Sequence, residues 1–139
     1  MNNKKIMISG GFDPIHIGHV RMILDASNYG DVVVALNSDE WLMRKKGYVF
    51  MPWSERSEII MAIRGVTEVV TVDDSDNSVC EALARVRPYY FANGGDRKLL
   101  NIPEADLCNN LGITMVWNVG GEKIQSSSNL VANTLKGDS

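Results

Sequence analysis

The run Asp31-Val32-Val33-Val34-Ala35-Leu36 narrows the possible folds of this chain more than any other feature. Its five apolar positions in a row leave no polar face. A strand made from them must be covered on both sides, because a strand with one wet face alternates polar and apolar residues. Two-sided cover comes from helices that carry the chain back between parallel strands.

Shorter β-rich runs fall at 6–9, 68–72, 89–92 and 114–118, and helical patterns fall between them. The apolar spacing of Val20, Ile23, Leu24 and Ser27 predicts a helix over 19–29, stopped at Gly30. Ile59, Ile60 and Ile63 mark a helix over 53–64, with Pro52 before it and Gly65 after it. Val79, Leu83 and Val86 mark one over 78–86, with Pro88 beyond it. A helix over 103–111 opens on Pro103 and ends at Gly112, and a last helix is expected over 127–135. Strict alternation of the two types predicts an α/β fold: a single Rossmann-like domain over residues 1–139, with a five-stranded parallel sheet and helices on both faces. Ligands of such sheets sit outside the carboxyl ends of the strands.

The formal net charge of −3 argues against a nucleic-acid partner, since sequence-independent binding relies on dense Lys and Arg. No apolar run approaches the roughly 18 residues that would suggest a membrane span. Cys80 and Cys108 share no short spacing and suit a reducing compartment, so the expected location is cytoplasmic.

The first strand ends in Gly10-Gly11, and a helix begins within ten residues. Glycines let the backbone turn tightly against a ligand, and a helix start offers N–H groups and positive potential to an anion. His16 and His19, three apart, share one helical face, with Gly18 between them. Two neutral imidazoles beside an anion site suit phosphoryl transfer, in which the oxygens on phosphorus need hydrogen-bond donors. Other readings of the same residues are a structural loop that satisfies its own histidines and an H-x-x-H zinc pair. The zinc reading has no cysteine or further histidine nearby, so its third ligand would have to be a carboxylate, and the G-x-G-x-x-G spacing of dinucleotide sites is absent.

Gly11-Phe12-Asp13-Pro14-Ile15-His16-Ile17-Gly18-His19 resembles the G-x-F-D-x-x-H-x-G-H signature of the cytidylyltransferase-like nucleotidyltransferase superfamily. Further segments resemble it in order along almost the whole chain. The resemblance implies His16, His19 and Lys46 as catalytic residues, with Lys45 as the other choice of lysine. It implies Gly11, Phe12, Gly18 and Arg56 as nucleotide-binding residues; on chemistry alone Arg56 suits equally a helix-surface pair with Glu55 or Glu58. Gly94 and Asp96 in Asn93-Gly94-Gly95-Asp96 resemble a loop lining the nucleotide pocket, and Ser126, Ser127 and Ser128 resemble the hydroxyl cluster opening the last helix. Asp13, Asn37 and Arg97 are the candidate acceptor-binding residues, and Asp13 is equally suited to holding the loop together. No protein metal site is implied; Mg2+ is expected to arrive with the nucleoside triphosphate.

The implied partners are ATP or CTP and a phosphorylated small molecule. Residues 120–123 lack the arginine of glycerol-3-phosphate cytidylyltransferases. The stretches Asn37-Ser38-Asp39, Lys46-Gly47 and Ser126-Ser127-Ser128-Asn129 more closely resemble heptose-1-phosphate adenylyltransferase domains. A sugar-phosphate adenylyltransferase is therefore favoured over an alcohol-phosphate cytidylyltransferase, and both over a non-catalytic nucleotide-binding module. The resemblance also implies a homodimer or larger homo-oligomer, with Trp41, Trp53 and Trp117 as possible anchors.

Overall fold

The computed structural model describes residues 4–92, 102–117 and 119–120. The chain runs β1 (Lys5–Gly10), α1 (Ile17–Ala26), β2 (Asp31–Leu36), α2 (Asp39–Lys46), α3 (Trp53–Met61), β3 (Val66–Thr71), α4 (Cys80–Val86), β4 (Tyr90–Ala92), α5 (Ile102–Leu111) and β5 (Thr114–Val116). The five strands form one sheet in the order β3-β2-β1-β4-β5, and every neighbouring pair is parallel. The expected five-stranded parallel α/β sheet is present.

Successive residues of β1 and β2 point to opposite faces, and each face has its own core. Ile6, Ile8, Val32, Val34 and Leu36 pack with Ile23 and Ala26 of α1 and Ile60 of α3. Met7, Val33 and Ala35 pack with Ala82 and Leu83 of α4 and Cys108 of α5. This accounts for the unbroken apolar run in β2: every side chain from Val32 to Leu36 is fully buried. At roughly 1.5–3 kcal/mol per fully buried aliphatic side chain, that strand outweighs any exposed ion pair. Lys5–Glu68, half exposed at 3.8 Å, belongs to a class worth about 0–1 kcal/mol.

The elements differ from expectation at several ends, α3 closing at Met61 rather than 64 and β5 at Val116 rather than 118, and in the following places. Helix α1 ends at Ala26 with Ser27 as its C-cap, and Leu24 is 41% exposed, so Ile23 and Ala26 carry the buried stripe. Gly30 stops no helix. A Cβ there would lie 2.0 Å from the carbonyl oxygen of Lys4, so glycine lets β2 start against β1. Strand β3 begins at Val66, where Val66 N–H bonds the carbonyl of Ile63 directly after the helix. Helix α2 was not expected, and Arg44, Lys45 and Lys46 form its last turn before Gly47 in the left-handed region. The helix expected over 127–135 lies outside the described residues.

Strand order reverses at β1, which lies between β2 and β4. The loops that follow β1, β2 and β3 lie at the sheet end where ligands of open α/β sheets bind. Among the described residues no helix is long and apolar enough to cross a membrane. Cys80 and Cys108 are both free thiols, and burial pushes the Cys108 thiol up to about 11.

Candidate active site

His16 is the N-cap of α1 in extended conformation, and its Nδ1 accepts the N–H of Gly18 at 3.0 Å. His19 returns the bond: its Nδ1 accepts the main-chain N–H of His16 at 3.1 Å. This is a capping box built from two imidazoles in place of a hydroxyl and a carboxylate. A ring nitrogen that accepts an N–H carries no proton, so each ring in its neutral form bears hydrogen at Nε2. The rings are stacked with centroids 3.9 Å apart, and Phe12 meets His19 edge-on at 4.6 Å. The first turn of α1 contains no carboxylate, so nothing there cancels its positive potential. Its amides are more occupied than expected: Gly18 N–H goes to His16, and the N–H groups of His19 and Val20 share the His16 carbonyl.

Phe12 is buried with φ at +50°, an uncommon conformation for a residue with a Cβ. Gly11 lies under α2: a Cβ there would be 2.9 Å from Leu42 and 3.3 Å from Trp41. Only glycine lets this loop and helix approach so closely.

Asp13 is 1% exposed. Its two carboxylate oxygens accept the N–H groups of Phe50 at 2.7 Å and Met51 at 2.6 Å, which ties the 47–52 loop to the histidine loop. Lys46 Nζ donates to the Asp13 carbonyl and lies 3.8 Å from its carboxylate. Burial pulls the Lys46 ammonium below its ordinary value; Asp13 opposes this, and Arg56 and Lys45 add to it. Lys45 instead sits over the Trp41 ring at 4.6 Å. Lys46 is thus the lysine turned towards the histidine loop.

Arg56 is 1% exposed and lies beneath the site. Its Nη1 donates to the carbonyls of Gly11 at 2.8 Å and Asn37 at 2.9 Å, its Nε to Met51 at 2.9 Å, and its Nη2 to Asp39 at 2.6 Å. Its carboxylate partner is Asp39, not Glu55 or Glu58. One planar fork thereby joins the ends of β1 and β2 to the loop before α3. Asn37 is buried, and its Nδ2 donates to Asp74 at 3.1 Å. Trp53 donates its indole N–H to the carbonyl of Leu36, which ties that ring to the strand end.

Asp74 was absent from the sequence-derived set. It lies just beyond β3, is 4% exposed, and accepts three hydrogen bonds on its carboxylate. Burial opposes its charge, but the Ser38 hydroxyl, the Ser38 N–H and Asn37 together hold it below the ordinary aspartate value. Asp73-Asp74-Ser75-Asp76 carries three aspartates, so no single-residue signal marks the one carboxylate that turns inward.

The structure therefore gathers Gly11, Phe12, Asp13, His16, Gly18, His19, Asn37, Lys46 and Arg56 around the ends of β1 and β2. Gly94, Asp96, Arg97, Ser126, Ser127 and Ser128 lie outside the described residues. Among the described residues no group of three or more His, Cys, Asp or Glu is placed to hold a metal ion. Asp13, the one acid of the signature segment, has both oxygens engaged by amides.

Comparison with known proteins gives the family and the fold. The family model described as cytidylyltransferase-like matches residues 7–126. An FAD synthase of Ferroglobus placidus is 31% identical over 94 residues, which are 68% of this chain and 60% of that protein. The bifunctional protein HldE of Geobacter metallireducens is 30% identical over 139 residues, which cover 96% of this chain and 27% of that protein. The chain thus spans less than two thirds of the first of these relatives and about a quarter of the second. The crystal structure of a lipopolysaccharide core biosynthesis protein from Thermoplasma volcanium has the same fold, with a TM-score of 0.67 at 24% identity, covering 84% of this chain and 94% of that one. With the family model matched from β1 to beyond β5, the chain belongs to the cytidylyltransferase-like family of nucleotidyltransferases.

Proposed function

We propose that the chain transfers a nucleoside monophosphate from a nucleoside triphosphate to a phosphorylated small molecule and releases pyrophosphate. The observation that carries this reading is the convergence of the stacked His16–His19 pair and Lys46 on one glycine turn at the switch point of the sheet. The Nε2–H groups of the two histidines donate to oxygens of the α-phosphate, where charge gathers as phosphorus becomes five-coordinate. Lys46 supplies a cation to the polyphosphate. The acceptor's phosphate oxygen attacks in line, the bond to the β-phosphate bridging oxygen breaks, and pyrophosphate leaves with the electron pair. The attacking oxygen is already anionic, so no general base is needed. Gly11, Phe12 and Gly18 shape the backbone against the nucleotide, and Arg56 acts from beneath by fixing the carbonyls of Gly11 and Asn37.

Gly94, Asp96, Ser126, Ser127 and Ser128 are proposed for the nucleotide, and Asp13, Asn37 and Arg97 for the acceptor side, where Asp13 acts by holding the loops together. Magnesium enters as part of the triphosphate substrate. We favour adenylyl transfer to a sugar phosphate such as heptose 1-phosphate, supported by the HldE relative, whose match covers 96% of this chain. The same reading places the chain in the cytoplasm as a homo-oligomer.

Pyrophosphate release from MgATP and MgCTP, each offered with heptose 1-phosphate, glycerol 3-phosphate and flavin mononucleotide, tests the proposal. Release with ATP and a sugar phosphate is expected. Tight nucleotide binding with no release for any acceptor would leave a nucleotide-binding module instead.

A further inference from the structure

Helix α2 carries Lys46 on its last turn, yet only Leu42 of its eight residues is buried. A helix of two turns with one buried apolar side chain gains little from packing, so polar anchors must set its position. The Asp74 carboxylate grips its start. One oxygen accepts from Ser38 Oγ at 2.7 Å, and the other accepts from Ser38 N at 2.8 Å and Asn37 Nδ2 at 3.1 Å. Ser38 Oγ in turn caps α2 by accepting the N–H of Trp41 at 3.0 Å. The main-chain carbonyl of Asp74 grips the last turn, accepting Arg44 Nη2 at 2.6 Å, while Arg44 also reaches Asn77.

We propose that Asp74 is a positioning residue that sets Lys46 beside the histidine loop by holding both ends of α2. The proposal rests on the reading of Lys46 as a polyphosphate ligand given above. Asp74 touches neither Lys46 nor the histidine loop among the described contacts; it acts through Ser38, Asn37 and Arg44. A residue that merely stabilised the fold would lower stability without caring whether Lys46 is present.

A double-mutant cycle separates the two. Affinities for MgATP and MgCTP are measured by calorimetry for the full chain, Asp74→Asn, Lys46→Ala and the double variant. Asp74→Asn is expected to weaken nucleotide binding by about tenfold, within the coupling range of residues joined by one hydrogen-bond chain, and to add nothing when Lys46 is already alanine. An equal loss in both backgrounds overturns the proposal. If Asp74→Asn does not fold, Arg44→Gln removes the second grip from a half-exposed side chain and is read in the same cycle.

Acetylation of the chain by acetic anhydride, followed by mass spectrometry, reads the position of Lys46 without any nucleotide. Asp74→Asn is expected to raise Lys46 labelling several-fold relative to Lys45; an unchanged ratio overturns the proposal. If the unmodified chain binds neither nucleotide, the functional reading falls, and the labelling ratio still decides the placement of Lys46.

Discussion

His16 and His19 complete each other's turn: His16 Nδ1 takes the N–H of Gly18, His19 Nδ1 takes the N–H of His16, and the rings lie 3.9 Å apart. On the proposed function each ring does two jobs, one on each nitrogen, and substitution can separate them. Asparagine is a good N-cap, so His16→Asn keeps the start of α1 and loses the Nε2 donor together with the ring stacked on His19. Stability within about 1 kcal/mol of the parent is expected from chemical unfolding. Turnover measured by pyrophosphate release should fall roughly 100- to 1000-fold, the scale of a single lost donor at a charge-developing oxygen. His19→Ala, which loses the capping acceptor as well, should abolish turnover. Parent-like turnover in either variant would remove that histidine from the mechanism.

Arg56 offers the sharpest stability test. Its replacement by methionine strips Gly11 O, Asn37 O, Met51 O and Asp39 of a donor within a buried site. A loss of about 3 kcal/mol or more is expected, from the three carbonyls left without a donor at about 1–3 kcal/mol each, since Asp39 is 40% exposed and is rehydrated. Arg56→Lys should recover little, because an ammonium cannot reach the three directions that the guanidinium fork spans. Urea unfolding of both variants checks this, and a loss below about 1 kcal/mol would show that these bonds are replaceable by water.

Acid should expose the contribution of Asp74. Its folded-state value lies below the ordinary 3.8, so as pH falls the unfolded chain takes up a proton on this residue before the folded chain does. Its stabilisation is therefore present above the ordinary aspartate range and is lost as pH drops through the depressed value. The stability gap between the parent and Asp74→Asn should narrow steadily as unfolding is repeated from about pH 6 to pH 3. A gap that stays constant across that range would mean that the bonds to Ser38 and Asn37 do not depend on the charge.

Lys46 makes the opposite prediction on the alkaline side. Burial lowers its value below 10.5, and a bound polyphosphate raises it again. Nucleotide binding should consequently take up a proton at pH values between the depressed and the bound-state value. Calorimetry in two buffers of different ionisation enthalpy measures that uptake. Lys46→Arg should abolish it, since arginine stays charged throughout. Equal uptake in that variant would assign the proton to another group.

The sheet was legible because its information is local. Val32 to Leu36 declare two-sided burial within five residues, and Pro52 and Gly112 flank the helices as their backbone preferences require. Helix α2 was not legible: Asp39–Lys46 is charged on most sides and buries only Leu42, so it lacks the apolar stripe that announces a helix. The His16–Gly18–His19 cluster was readable for the same local reason as β2. Asp74 binds Asn37 and Ser38 from 37 and 36 residues away, and Arg56 reaches Gly11 across 45. Separations of that kind carry no periodicity, so the signature segment and the candidates Asn37 and Arg56 were visible, while Asp74 and the buried partners of Arg56 were not.

Phe12 holds a left-handed backbone with its ring buried against His19, between a glycine clamped under α2 and an aspartate sealed by two amides. Such a conformation persists only where its surroundings leave the chain no alternative. The turn is thus immobilised when the polypeptide folds rather than when a ligand arrives. Little rotational freedom remains for a nucleotide to quench, and recognition at this turn should behave as docking onto a rigid mould.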